Sequence, residues 1–156
     1  MATVTLPADE QILITREFDA PRHLVWTAWT TPELVRRWWS GRRGAMTVVE
    51  MDFRVGGAWR YVMIAGGGHE VGFHGEYREI VPDERIVWTE VYEGVPEEGE
   101  PAIVTATFVE EGGRTRLELL TEVESQAARD MIVESGMEEG VQEQMEILDE
   151  ILRELG

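Results

Sequence analysis

An α+β domain is the fold class that the sequence predicts: one antiparallel sheet covered by a long C-terminal helix. Three observations carry it. Strand-like runs joined by glycine- and proline-containing turns fill the middle of the chain, as hairpins require. Two short helical stretches interrupt the strands after the first of them. From Ser125 to Leu155 apolar residues recur at three- and four-residue steps, the mark of a helix with one buried stripe.

Taken in order, residues 1–10 read as an N-terminal tail and 11–156 as a single domain. Gln11–Phe18, "QILITREF", is apolar and β-branched, hence a strand. Pro21 opens a helix in which Leu24, Val25 and Ala28 share a face, with Trp29 one position further on. Thr31 reads as an N-cap before Pro32 at the first helical position of "PELVRRWW". Next, "TVVEMDFRV" puts Val49, Met51 and Phe53 on one face and Glu50, Asp52 and Arg54 on the other. Gly56-Gly57 turns the chain into "AWRYVMI", with Trp59, Tyr61 and Met63 on one face.

Residues 73–80, 85–92, 103–109 and 115–123 complete a sheet of six or seven strands. The acidic insert at 93–101 reads as an exposed loop. In the last helix Met137, Val141, Met145, Leu148, Leu152 and Leu155 form the stripe, and Gly136 and Gly140 weaken its middle. That helix is the one element large enough to cover the sheet.

Composition narrows the function. Fourteen basic against thirty-one acidic residues leave a net charge of −17, and every basic residue is arginine. Nucleic acid and anionic membrane surfaces, which need a basic footprint, are disfavoured partners. No cysteine is present, so disulfides, thiolate catalysis and cysteine zinc sites are excluded. No basic leader or long apolar run is found, and the expectation is a soluble cytoplasmic protein.

Candidate chemistry is sparse. "HEVGFH" (His69–His74) has its histidines five apart in a strand-like stretch, not four apart on a helix, so no metal site is expected. "AGGGHE" lacks the lysine and helix of a phosphate loop, and no serine sits on a strand-to-helix elbow. Glu90 shares strand parity with Ile86, Trp88 and Tyr92, which turns its carboxyl to the apolar side unless a bulge intervenes. Wide side chains recur on both sheet and helix: Trp38, Trp39, Trp59, Tyr61, Met63, Phe73, Tyr77, Trp88, Tyr92, Met137 and Met145. Singly each is ordinary core. Together they are what lines an apolar ligand pocket.

The blocks "ITREFDAPRHLVWTAWTTPELVRRWWSG", "EMDFRVGGAWRYVM", "GEYREIVPDERIVWTE", "VTATFVEEGGRTRLELLTE" and "ARDMIVESGMEEGV" resemble bacterial proteins of the activator-of-heat-shock-ATPase-homologue type. Those belong to the START-like (SRPBCC, birch-pollen-allergen-like) superfamily, and the resemblance spans about residues 11 to 155. It implies a helix-grip fold with a hydrophobic cavity between the curved sheet and the C-terminal helix. Met51, Phe53 and Val141 join the lining on that reading. Trp38 would pack inward beside Leu34, and Trp39 would lie over the cavity mouth. Two departures stand out. Val141, Gln142 and Gln144 replace a segment that commonly carries tryptophan, which would reshape the cavity floor, and "GVPEEGEPA" lengthens one loop.

Three functions remain open. A non-catalytic binding protein for a small, lipid- or polyketide-like ligand, without cofactor, comes first. A module that stimulates a heat-shock chaperone ATPase through its acidic outer face comes second. A cyclase- or hydrolase-type enzyme using Glu90 with His74 or Tyr77 comes third. Monomer and homodimer are both compatible with the sequence.

Overall fold

The computed structural model describes residues 2–93 and 100–156. Its elements are β1 (Thr3–Thr5), β2 (Gln11–Phe18), α1 (Arg22–Thr30), α2 (Pro32–Trp38), β3 (Gly44–Met51), β4 (Ala58–Ala65), β5 (Glu70–Val81), β6 (Arg85–Tyr92), β7 (Ala102–Glu111), β8 (Arg114–Glu122), α3 (Gln126–Glu134) and α4 (Met137–Leu155). The strands form one antiparallel sheet in the order β1-β2-β8-β7-β6-β5-β4-β3. Strands β3 to β8 are sequential hairpins, whereas β2 pairs with β8 across the length of the domain.

Eight strands replace the six or seven expected. The addition is β1, which pairs with β2 from within the stretch read as a tail. Three residues are too short to show a period in sequence. The residue before them is held by α4: Gln142 accepts from the Ala2 N–H (3.0 Å) and donates to its carbonyl (2.8 Å). The expected loop at 93–101 falls mainly on residues 94–99, which lie outside the described residues.

The long C-terminal helix is two helices. Ser125 caps α3 by accepting from the Ala128 N–H at 3.1 Å. The chain then breaks at Gly136, whose φ of 86° is a left-handed conformation open to glycine at little cost. Helix α4 continues with Val141, Met145, Leu148, Ile151 and Leu152 buried. The core joins that stripe to Phe18, Val25, Ala28, Val35, Phe108 and Leu117. Buried Thr115 donates its hydroxyl to the Ala20 carbonyl at 2.7 Å, fixing where β2 leaves the sheet for α1.

Two local expectations need correction. Thr31 is the N-cap of α2 by position, but its side chain makes no cap hydrogen bond; Pro32 and Glu33 supply the helix start. Strand β3 ends at Met51, so Phe53 lies in the turn before β4. There it packs edge-on to Trp26 (5.9 Å) and Tyr77 (5.1 Å). The Asp52-to-Ala58 and Gly57-to-Arg54 backbone bonds close that turn and end the two-residue alternation early. No helix among the described residues is long and apolar enough to cross a membrane.

Candidate functional site: an aromatic cleft under the short helices

Aromatic residues from three strands and two helices converge at one end of the core. Parity on β4 turns Trp59 and Tyr61 to the same face, and both are buried. Tyr77 of β5 stands opposite Trp88 of β6 in register, and Ile86 and Glu90 flank Trp88 on its face. Helix α1 contributes Trp29, and the end of α2 contributes Trp38 and Trp39. These nine residues line a cleft of about 40 Å³.

That volume decides what fits. It holds roughly three water-sized positions, against the roughly 300–1,000 Å³ of a pocket for a drug-sized ligand. The cleft suits a compact group and does not admit a lipid tail or a polycyclic polyketide in this conformation.

The two adjacent tryptophans separate. Trp38 is 2% exposed, and its indole N–H donates to the Ala28 carbonyl at 3.0 Å, locking α2 to α1. Its ring centre lies 4.6 Å from that of Trp29. The other core residue of α2 is Val35, with Leu34 only half-buried, so the inward face is one position on from the expected one. Trp39 caps α2 and is half-buried, its ring against Tyr61 (5.3 Å) and Phe73 (5.1 Å). Gln144 of α4 donates its side-chain amide to the Trp39 carbonyl, which anchors the end of α2.

The polar groups of the cleft are few. Tyr61 and Tyr77 are hydrogen-bonded hydroxyl to hydroxyl. Burial pushes the Tyr61 phenol well above its ordinary range and Tyr77 up to about 12, so both stay neutral. Glu90 is half-buried, and loss of solvent raises its carboxyl above the usual carboxylate range, partly opposed by the Trp88 indole N–H. The one bulge beside β6 lies on β5, between Tyr77 and Glu79, and leaves Glu90 facing inward. The Trp29 indole N–H is buried without a partner among the described residues.

Of the expected lining, Trp38, Trp39, Trp59, Tyr61, Tyr77, Trp88 and Glu90 meet at the cleft. Val141 and Met145 are buried in the core of α4, and Met137 packs beside it; no residue of α4 lines the cleft. Residues of α1 and α2, in place of α4, close the cleft against the sheet. Gln142 and Gln144 are not a cavity floor either, being committed to Ala2 and Trp39. Met51, Phe53 and Phe73 pack at the periphery, Met63 is half-buried outside the cleft, and Tyr92 is exposed, its ring 5.2 Å from that of Phe73. Trp29 and Ile86 are lining residues the expected set lacked.

His74 falls on the outer face. Its Nδ1 lies 2.8 Å from Glu93, which Arg60 also grips with two bonds of 2.9 and 3.0 Å. Of the expected proton carriers, His74 is therefore not beside Glu90, whereas Tyr77 shares the cleft with it.

A second depression, about 290 Å³, is lined by Arg16, Glu17, Asp19, Arg114, Asp149, Leu152 and Arg153. It is larger but solvated, and its charges meet one another: Arg114 lies 3.3 Å from Glu17 and Arg153 2.7 Å from Asp149. Such a surface is an ordinary ion-pair network.

An eight-stranded antiparallel sheet gripping a C-terminal helix, with an aromatic cleft at its flank, defines a helix-grip protein of the START-like type. The chain matches the family described as Activator of Hsp90 ATPase homolog 1-like protein over residues 19–153, and it belongs to that family. Solved structures agree over nearly the whole length. A protein of Rhodobacter sphaeroides superposes with a TM-score of 0.89 at 25% identity, over 98% of this chain and 99% of that one. A protein of Mycobacterium smegmatis gives 0.87 at 24% identity, over 100% of both chains. One of Chromobacterium violaceum gives 0.81 at 27% identity, over 93% and 98%. No curated protein matches the chain.

Proposed function

We propose that this chain is a binding protein for a small ligand with apolar surface, seated in the cleft between the sheet and helices α1 and α2. One observation carries the reading: five of the six tryptophans line a single small space that also holds a carboxylate. Core packing alone has no need to gather so many amphipathic rings and one acid at one place, whereas a binding site does. The test is titration of intrinsic tryptophan fluorescence with small organic compounds, paired with thermal unfolding. Saturable shifts in both, lost in Trp88→Ala, support it. Unchanged emission and melting across cations, neutral apolar molecules and acids overturn it.

The family description favours a second reading, stimulation of a heat-shock chaperone ATPase. The exposed carboxylates of α4, Glu138, Glu139 and Glu146 among them, would supply the surface. Measuring Hsp90 ATPase turnover with and without the protein decides it. A ligand-independent rise supports this role, and no rise excludes it.

A further inference from the structure

We infer that the cleft takes a small alkylated ammonium cation, with Glu90 as its counter-ion and the surrounding indoles as its cage. This rests on the reading of the cleft as a ligand site and names the class of ligand.

The inference comes from which charges and donors the cleft contains. Its lining has a carboxylate and no arginine, lysine or histidine, in a chain whose fourteen arginines are all elsewhere. Indole is the strongest of the aromatic hosts for a cation, and an ammonium excluded from water gains most from it. Five indoles and two phenols around one acid thus favour positive charge over a neutral or anionic guest. The net charge of −17 adds attraction at long range.

Hydrogen bonding selects the kind of cation. A primary ammonium needs three acceptors. Here the indole N–H groups are themselves donors: those of Trp38 and Trp59 are given to the carbonyls of Ala28 and Thr89, that of Trp88 bears on Glu90, and that of Trp29 has no partner among the described residues. The two tyrosine hydroxyls share one hydrogen bond and keep spare lone pairs, which are neutral and weaker acceptors than a carboxylate. Glu90 alone remains as a strong acceptor. A fully alkylated nitrogen, which has no N–H to satisfy, fits that inventory. Size sets a limit as well: about 40 Å³, roughly three water-sized positions, admits at most a methylated head with any longer chain outside the cleft.

Binding should also move a proton. The groups facing Glu90 are Tyr61 on β4 and Tyr77 on β5, with Asp52 beyond Tyr77, while α1 and α2 present only indoles. None of these supplies a positive charge, and burial makes the empty site hold Glu90 protonated more readily than water would. An arriving cation favours the carboxylate, so affinity rises with pH as Glu90 ionises.

The experiment is calorimetric titration of the full chain with choline and with its neutral carbon isostere, neohexyl alcohol, at low salt and at two pH values. Choline is expected to bind, and the alcohol to bind at least about tenfold more weakly, a gap of about 1.4 kcal/mol. Glu90→Gln is expected to remove the difference, whereas Glu93→Gln on the outer face leaves it intact. Equal binding of both probes, or a Glu90→Gln variant that still prefers choline, overturns the cation and leaves the ligand site standing. Binding of neither probe overturns the cation, and the ligand site falls with it if small acids also leave tryptophan emission and melting unchanged.

Discussion

Trp59 of β4 donates its indole N–H to the carbonyl of Thr89 on β6, 3.1 Å away, across the intervening strand β5. The crossing happens at Gly75, which pairs with Trp59 in register. A Cβ on residue 75 would sit 1.8 Å from that carbonyl and 2.7 Å from the indole nitrogen. The glycine is thus a gap through which one wall of the cleft is tied to the other.

Gly75→Ala should therefore be costly in a way strand propensity does not foresee. Overpacking of this kind costs about 1 to 3 kcal/mol, and the Trp59–Thr89 bond, worth about 0.5 to 1.5 kcal/mol, is lost as well. Trp59→Phe loses the bond and keeps most of the ring. Urea unfolding of the two variants checks this, with the alanine expected to be the weaker protein. A Gly75→Ala variant as stable as the parent would show that β5 can move aside.

Trp38 and Trp39 should part under substitution. Trp38→Ala empties a fully packed site and frees the Ala28 carbonyl, at about 3 to 5 kcal/mol. Trp39→Ala should fold with a smaller loss and change the accessibility of the cleft. Acrylamide quenching with thermal unfolding reads both effects. Equal destabilisation and equal quenching in the two variants would mean that Trp39 is plain core.

Gln144→Ala leaves the Trp39 carbonyl without its α4 partner. Expected is a loss of about 1 kcal/mol and a rise in the quenching of tryptophan emission. Hydrogen exchange locates the effect: faster exchange at the Trp39 and Gly41 amides, whose bonds run to the Val35 and Trp38 carbonyls, and none at the core of α4.

Two carboxylates should respond to pH in opposite senses. Burial raises Glu90 above its ordinary 4.5, so the folded state holds its proton longer than the unfolded chain does. That contribution is complete below the unfolded value and is lost as pH rises through the folded one. Glu90→Gln should match the parent near about pH 4 and exceed its stability near about pH 8. Glu93, bonded first by Arg60 and then by His74, is lowered to about 2. Its contribution is present above the ordinary 4.5 and fades as pH falls towards 2. Glu93→Gln should lose stability at neutral pH only. Unfolding curves of both variants across that range test the signs.

Much of this was legible because period two reports which side of a strand faces in. Parity put Trp59 with Tyr61 and Trp88 with Glu90, and Tyr77 joined them as one of the wide side chains. An amphipathic helix is less informative, since its stripe says that Val141 and Met145 are buried without saying what covers them. They meet the core, and α1 and α2 rather than α4 line the cleft. Trp29 was missed because Leu24, Val25 and Ala28 already made a sufficient stripe on α1. Phe53 continued an alternation that a turn had ended. Strand β1 gave no signal, because three residues are too few to show a period.

The pairing of β2 with β8 has a consequence for synthesis. Gln11 lies beside Glu122, 111 residues further along the chain. At a translation rate of about 5 to 20 residues per second, β2 waits on the order of 5 to 20 s for its neighbour. Over that interval the hairpins from β3 to β7 can close on the ribosome, while "QILITREF" has no strand on its inner side and α1 and α2 lack the helix that covers them. The nascent chain therefore presents its tryptophan-rich helices as an unshielded apolar surface until the last third is made. Ribosome-associated chaperones are expected to engage that segment, and slowing translation between residues 93 and 115 should lengthen their residence.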